Sequence, residues 1–468
     1  MKKHNLFKVA LITILLVVLA SWILPVTSVS GKEFSEVESG KIGLFSVVSY
    51  VAIAIQYFCH IALYVLAIGG LYGILHKIPS YRVMLDKIVS GFRHCEWVFM
   101  IIVSLVFCLL SSMAGLSLPI LAFFPFVIAV ILLMGYDKIT AAMLTVGSVT
   151  AGLIGSVFSS NDIYGLSYVL GVEANQDVGW KILILVLSYL VVIINVLLYA
   201  RKHKDTENLV QGIFVPEKVD RQGVKKILPI AIVLDVMLVV LALAFISWSV
   251  FGVTVFTEFT DKFINPTGSG FTKGVYTAFN TVLGLTSNNA FGLWTLLEAS
   301  VVLVLGSLIL AFIYRKSFTK FLNEFANGAK HAIKPAVLII MAYTVLVCIT
   351  NVNVLLTVLK PILSLDGELN VFVMCIVAIV YSIFTVESYY GVRQAAPYVT
   401  AFVATENVGK IALIWQSMYG LTMLVAPTSV ILMSTLSYLD ISYGRWLKSV
   451  WKLLLELFLV LLIVLLLI

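Results

Sequence analysis

Residues 80–94 read SYRVMLDKIVSGFRH and residues 317–331 read SFTKFLNEFANGAKH, and the two align without a gap. Both begin with Ser before an aromatic residue (Ser80-Tyr81, Ser317-Phe318) and share a Leu (Leu85, Leu322) and a Gly (Gly91, Gly328). Both close on a basic residue and His (Arg93-His94, Lys330-His331). Each copy follows a long apolar run containing small residues, Gly69-Gly70 in one and Gly306-Ser307 in the other, and each precedes another apolar run. The match predicts two structural repeats.

Composition places those repeats in a membrane. Of 468 residues, 61% are hydrophobic and 12% charged, and mean hydropathy is +1.07, too apolar for the surface of a soluble protein of this size. Crossing about 30 Å of hydrocarbon takes roughly 20 apolar residues as a helix. Runs of that length occur near 6–28, 45–75, 180–200, 227–250, 291–313, 409–438 and 446–468, with shorter or interrupted ones between them. The expectation is an all-α polytopic membrane protein. Its first run lacks an A-x-A cleavage pattern and is long for the apolar core of a signal peptide, so it reads as a retained helix. Cys59, Cys95, Cys108, Cys348 and Cys375 lie mostly in apolar runs without C-x-x-C spacing, and read as small buried hydrophobes.

The formal charge of +7 reports orientation, not nucleic-acid binding. Lys2, Lys3 and Lys8, with Arg201, Lys202, Lys204, Lys218, Arg221, Lys225 and Lys226, place the N-terminus and the linker 201–226 in the cytoplasm, in a multi-pass protein of the plasma (inner) membrane. The acidic segments 29–44 and 251–272 then face outward. The chain divides into a first transmembrane repeat over 1–200, the linker 201–226, a second repeat over 227–438 and an extra helix over 439–468. Charge counting puts both 15-residue copies on the cytoplasmic side, whereas an inverted repeat needs them on opposite faces.

Each repeat carries two interruptions. After the amphipathic copy, half-length apolar runs flank a polar tip: Ser111, Ser112, Gly115 and Ser117 in the first half, Thr350, Asn351 and Asn353 in the second. Such runs suit re-entrant hairpins, whose tips line binding sites because irregular backbone at membrane depth needs protein or water beside it. They also suit short loops at the membrane surface. Next comes a helix broken by polar residues, at Ser159-Ser160-Asn161-Asp162 and at Glu387-Ser388-Tyr389-Tyr390-Gly391. Broken helices direct positive N-terminal dipole ends at carboxylates and carbonyl ends at Na⁺. The plainer reading makes these polar residues caps at helix ends.

Several stretches together resemble the four-carbon-dicarboxylate anaerobic carrier family. They are Phe123-Phe124-Pro125, Gly135-Tyr136-Asp137-Lys138-Ile139-Thr140, the run from Gly147-Ser148 to Gly155-Ser156, Ala426-Pro427-Thr428-Ser429 through Met433, and Ser442-Tyr443-Gly444-Arg445-Trp446-Leu447-Lys448. The likeness runs from about residue 45 to the end and is nearest to the YfcC-type members, described as basic amino acid antiporters. It implies two repeats, inverted, each with a re-entrant hairpin and a discontinuous helix around the substrate. It also implies a homodimer working by an elevator-like motion, and brings Thr428 and Ser429 into the site. The chain departs from the family pattern at Leu118-Pro119, at Ser159-Ser160-Asn161, and at Ser388-Tyr389-Tyr390-Gly391-Val392-Arg393, which is bulkier and charged. A different ligand from the typical relative's is expected.

Among charges in apolar surroundings, Asp162, Asp235 and Glu298 are candidates for coupling to Na⁺ or H⁺, because an ionised group there costs several kcal/mol unless paired or protonated. A scaffold role as hydrogen-bonded carboxyls is equally open for Asp235 and Glu298. Glu387 would meet an amino or guanidinium group and Arg393 a carboxylate, or the two would neutralise each other. Neither G-x-S-x-G, H-E-x-x-H nor a Walker A pattern is present, so no enzyme and no ATP-driven pump is read here, and no cofactor. The expected function is a secondary carrier of a small carboxylate-bearing metabolite, an amino acid of the arginine or ornithine type, with a C4-dicarboxylate as the alternative. A channel or a non-transporting scaffold is the reading from another class, and a channel would need polar stripes that these helices lack. The partners are the solute and the bilayer.

Overall fold

The computed structural model describes residues 5–30, 33–37, 41–159, 165–173, 176–204, 215–217, 227–264, 274–275, 277–278, 281, 289–352, 355, 357, 370–402 and 407–468. Among them, eight helices are long and apolar enough to cross a membrane: α1 (Asn5–Ile23), α2 (Leu44–His76), α4 (Glu96–Ala114), α8 (Val178–Lys202), α9 (Leu228–Phe245), α11 (Leu296–Ile313), α13 (Ile333–Asn351) and α18 (Tyr443–Leu467). The shorter helices are α3 (Pro79–Gly91), α5 (Phe124–Leu133), α6 (Lys138–Ile154), α7 (Gly165–Leu170), α10 (Val255–Ile264), α12 (Phe318–His331), α14 (Val371–Phe384), α15 (Ser388–Phe402), α16 (Val408–Met423) and α17 (Val430–Leu439). The protein is a multi-pass helical membrane protein. A small antiparallel hairpin, β1 (Val26–Ser30) with β2 (Glu33–Val37), is its departure from an all-helical chain among the described residues.

Polar residues start the helices where the apolar runs alone would not define an end. Asp137 accepts from Thr140 N at the start of α6, Ser317 from Lys320 N at α12, Asn370 from Val373 N at α14, and Ser429 from Leu432 N at α17. Thr295 and Glu298 close a reciprocal capping box on α11. Each satisfies N–H groups that a helix leaves without an internal partner.

The helices pack as two groups. In one, α2 is flanked by α11, α12 and α13, with α9 against α11. The approach of α12 to α2 depends on glycine: a Cβ on Gly328 would lie 2.2 Å from the Gly69 carbonyl oxygen, and one on Gly73 2.4 Å from that of Glu324. In the other group, α6 packs against α4, α5, α8 and α16, and α14, α15 and α18 pack around α16. The groups meet where α2 donates from Tyr64 Oη to the Pro119 carbonyl (2.5 Å) and from Tyr72 Oη to the Ala122 carbonyl (2.8 Å), and where α13 packs on α17.

One end of the molecule gathers both 15-residue copies. Lys316, just before α12, donates to the carbonyl of Lys77, just before α3, at 3.4 Å, and Arg82 of α3 donates to the linker carbonyl of Pro216 at 2.5 Å. The copies thus lie at the same end of the molecule. They do not play the same part. Ser317 caps α12 whereas Ser80 is buried inside α3, which Pro79 opens two residues earlier in the alignment. Gly328 is locked against α2, while Gly91 has no atom near its absent side chain.

Candidate functional site

The turn at the end of α4 builds the first wall of the site. Gly115 caps α4 with φ of +66°, the left-handed region that glycine enters without strain. The chain then continues through a short 3-10 turn, Pro119–Phe123, into α5. It returns to the end it left, because Tyr136 Oη, beyond α5, donates to Glu96 Oε2 at the start of α4 (2.6 Å).

Two helix breaks build the second wall, and neighbouring side chains satisfy the backbone they expose. After α6, the Gly155 carbonyl accepts from Ser112 Oγ (2.7 Å) and the Ser156 carbonyl from Gln416 Nε2 (2.6 Å). Val157 N donates to both the carbonyl and the Oγ of Ser112. Between α14 and α15 lies a three-residue break, Thr385–Glu387. Here the Ile383 carbonyl accepts from Thr428 Oγ1 (2.6 Å) and the Val386 carbonyl from Tyr419 Oη (3.0 Å).

Between these walls and the α2, α9 and α11 group is a cavity of about 320 Å³. Gly115, Ser117, Glu387, Ser388 and Ser429, all expected from the sequence, line it. Glu387 is its one acidic lining residue among the described residues, and neither Lys nor Arg lines it. Its carboxylate Oε1 accepts from Tyr343 Oη at 2.5 Å, and Tyr343 is in turn held by a stacked contact with Phe58 of α2, ring centroids 4.1 Å apart. The Oγ of Ser388 is buried and has no hydrogen-bond partner among the described residues.

Other expected residues lie elsewhere. Ser111, Ser112 and Thr428 are engaged by backbone carbonyls and do not line the cavity; Ser111 Oγ donates to Val149 O at 3.0 Å. Gly391 packs against Thr385, where a Cβ would lie 2.9 Å from Oγ1. Ser159 is buried and forms a backbone bridge with Ile246. Thr350 and Asn351 are exposed in the last turn of α13 and donate back to carbonyls of that helix. Arg393 is exposed, with its guanidinium 6.0 Å from the Tyr389 ring centre, and does not line the cavity. Asp235 lies on the exposed side of α9, and Glu298 is committed to the first turn of α11, accepting from Thr295 and Asn289. Ser160, Asn161, Asp162 and Asn353 lie outside the described residues.

The sequence reading missed His60, Trp294, Thr295 and Tyr419 as lining residues. His60 carried a usable signal, as a titratable residue near the middle of the 33-residue apolar α2. Trp294 and Thr295 carried none, since only tertiary packing brings the start of α11 to the site. Among the described residues, no group of three His, Cys, Asp or Glu side chains could hold a metal ion.

Comparison with known proteins identifies the family. A crystal structure of the Alcanivorax borkumensis YdaH transporter, titled as revealing an unusual topology, aligns over 99% of this chain and 97% of its own. Its identity is 13% and its TM-score 0.40, which carries no argument about fold. An Escherichia coli (strain K12) protein named "Putative basic amino acid antiporter YfcC" is 23% identical over 403 residues, 83% of this chain and 73% of its own. An uncharacterized protein of Haemophilus influenzae is 26% identical over 148 residues, 31% of this chain, and the match spans only 28% of that relative's length. The model of the DcuC family, C4-dicarboxylate anaerobic carrier, matches residues 32–468. With that match over nearly its whole length and its apolar spans, the chain belongs to the DcuC family of membrane transporters.

Proposed function

We propose that this protein is a secondary carrier for a small metabolite bearing both a carboxylate and a cationic nitrogen, an amino acid of the arginine or ornithine type. It would work by exchange or by coupling to Na⁺ or H⁺. The observation that carries this reading is the asymmetry of charge at the cavity: Glu387 lines it and Arg393 does not. A carboxylate backed by Tyr343 suits an amino or guanidinium group, whereas a dicarboxylate would meet repulsion from Glu387.

The carboxylate of the solute has partners too. The first residues of α15 and α17, Ser388 and Val430, line the cavity, so two helix N-termini carry their positive dipole ends there. The Ser388 hydroxyl, without a partner among the described residues, supplies a donor. The name of the Escherichia coli relative favours a cationic amino acid, and the family description favours a C4-dicarboxylate. The same reading takes the protein as a homodimer of the plasma membrane with a cytoplasmic N-terminus, and keeps Asp162, Asp235 and Glu298 as ion-coupling candidates.

Counterflow in proteoliposomes loaded in parallel with arginine, ornithine, a neutral amino acid and succinate tests the proposal. Uptake of labelled arginine driven by internal arginine or ornithine is expected. Exchange of succinate alone would replace this reading with the dicarboxylate one.

A further inference from the structure

A second cavity, of about 430 Å³, opens at the end of the molecule where α4 begins and α8 ends. It lies between the first turn of α4, the turn joining α5 to α6, and the last turn of α8. Arg93, Arg201 and Lys204 supply its cations, with His94 beside them, and Trp97 and Tyr136 its aromatic surface. Arg93 and His94 close the first 15-residue copy, and the transport site makes no use of them.

Glu96, the acidic lining residue here, is already spoken for: it accepts from Tyr136 Oη and pairs with Lys204 Nζ at 2.9 Å. Lys204 also sits 5.3 Å from the Tyr136 ring centre. Burial and the hydrogen bond to Glu96 hold the Tyr136 phenol well above its ordinary pKa, so it adds no negative charge. Arg93 and Arg201 form no ion pair with any described carboxylate, and both are exposed. The pocket therefore keeps an unneutralised pair of guanidinium groups, whose forked donors match phosphate oxygens.

The surroundings choose between a free anion and a lipid. Trp97 is 57% exposed in the first turn of α4, the placement of an aromatic residue at a membrane–water boundary. From there the outward residues Ile102, Leu105 and Leu109 of α4 and Leu190, Ile194 and Leu198 of α8 are all exposed and aliphatic. A phosphate group seated in the pocket would have acyl chains running along that strip, on the leaflet beside the basic segments. Basic pockets between transmembrane helices on that side commonly hold anionic headgroups. We infer that this cavity is a binding site for the phosphate headgroup of an anionic phospholipid, with Arg93 and Arg201 as its ligands. The site is independent of the transported solute.

Native mass spectrometry of the detergent-purified protein, offered phosphatidylglycerol, phosphatidylcholine or inorganic phosphate, tests it. The intact protein is expected to retain at least one phosphatidylglycerol, about ten-fold in preference to phosphatidylcholine, with inorganic phosphate failing to displace it. Arg93→Ser with Arg201→Ser should lower retention to the phosphatidylcholine level. Arg93→Lys with Arg201→Lys should restore part of it, and Lys320→Ser with Lys330→Ser, which removes two exposed cations of α12, should leave it unchanged. Equal retention of phosphatidylcholine, displacement by phosphate, or an equal loss in the α12 variant would overturn the inference.

Discussion

Glu387 accepts a hydrogen bond from Tyr343 and occupies a break beside Ser388, whose buried hydroxyl has no partner among the described residues, so single substitutions there separate charge from shape. Glu387→Gln keeps volume and removes the anion. In proteoliposome exchange it is expected to lower arginine transport more than ten-fold, consistent with the loss of about 1.5–3 kcal/mol for a charged hydrogen bond, while the purified protein stays monodisperse. Tyr343→Phe leaves the carboxylate but frees its orientation; the expected result is a KM for arginine raised several-fold with a smaller change in maximal rate. Unchanged exchange in Glu387→Gln would remove that residue from the site. At this scale the sequence was legible where polar residues cut an apolar run without a capping use, as at Glu387 and Ser388. Ser112, a polar residue of the first tip, and Thr428, which the family resemblance brought in, instead hold carbonyls at helix ends, because a buried hydroxyl in a membrane protein satisfies backbone as readily as it binds a solute.

Helix contacts decide what the two 15-residue copies do. Gly69 and Gly73 on α2, one turn apart, face Gly328 on α12, and small residues at this spacing let helix backbones meet closely. Gly328→Ala has no room to enter and is expected to destabilise the protein by about 1–3 kcal/mol, the range for overpacking. A thermal-unfolding scan in detergent should show the midpoint falling. Gly91→Ala, at the position aligned with it, meets nothing and should leave the midpoint close to that of the unmodified protein. Equal effects at both glycines would make the copies structurally equivalent after all. The ungapped match marked both copies as amphipathic segments that follow an apolar span, and both are helices. It could not say that one helix is pinned between spans and the other not, because that depends on which face α2 presents to α12.

Spatial grouping across the whole molecule does not follow the sequence halves: α2, from the first half, packs with α11, α12 and α13 from the second. The cavity lies between that group and the one holding both breaks, which is why the start of α11 contributes lining residues no motif foretold. A carrier must open its site to each side of the membrane in turn, and a site at the junction of two packed groups can do so if one group moves against the other. The hydrogen bonds from Tyr64 and Tyr72 to the carbonyls of Pro119 and Ala122 span that junction next to the Gly115 turn, so movement there has to break them. Each is worth about 1 kcal/mol, roughly five-fold in a two-state population. Tyr64→Phe and Tyr72→Phe together are therefore expected to shift the balance away from the arrangement described here. The readout is alkylation of Ser117→Cys, a lining position, by an impermeant maleimide added to one side of oriented vesicles or the other. Relative to Ser117→Cys alone, the ratio of the two rates should change at least five-fold, and arginine should slow labelling in both backgrounds. Asn351→Cys, exposed and off the cavity, should react at a rate that arginine leaves unaltered. A ratio unaffected by the tyrosine changes would mean that these two hydrogen bonds persist through the transport cycle and that the moving boundary lies elsewhere in the bundle.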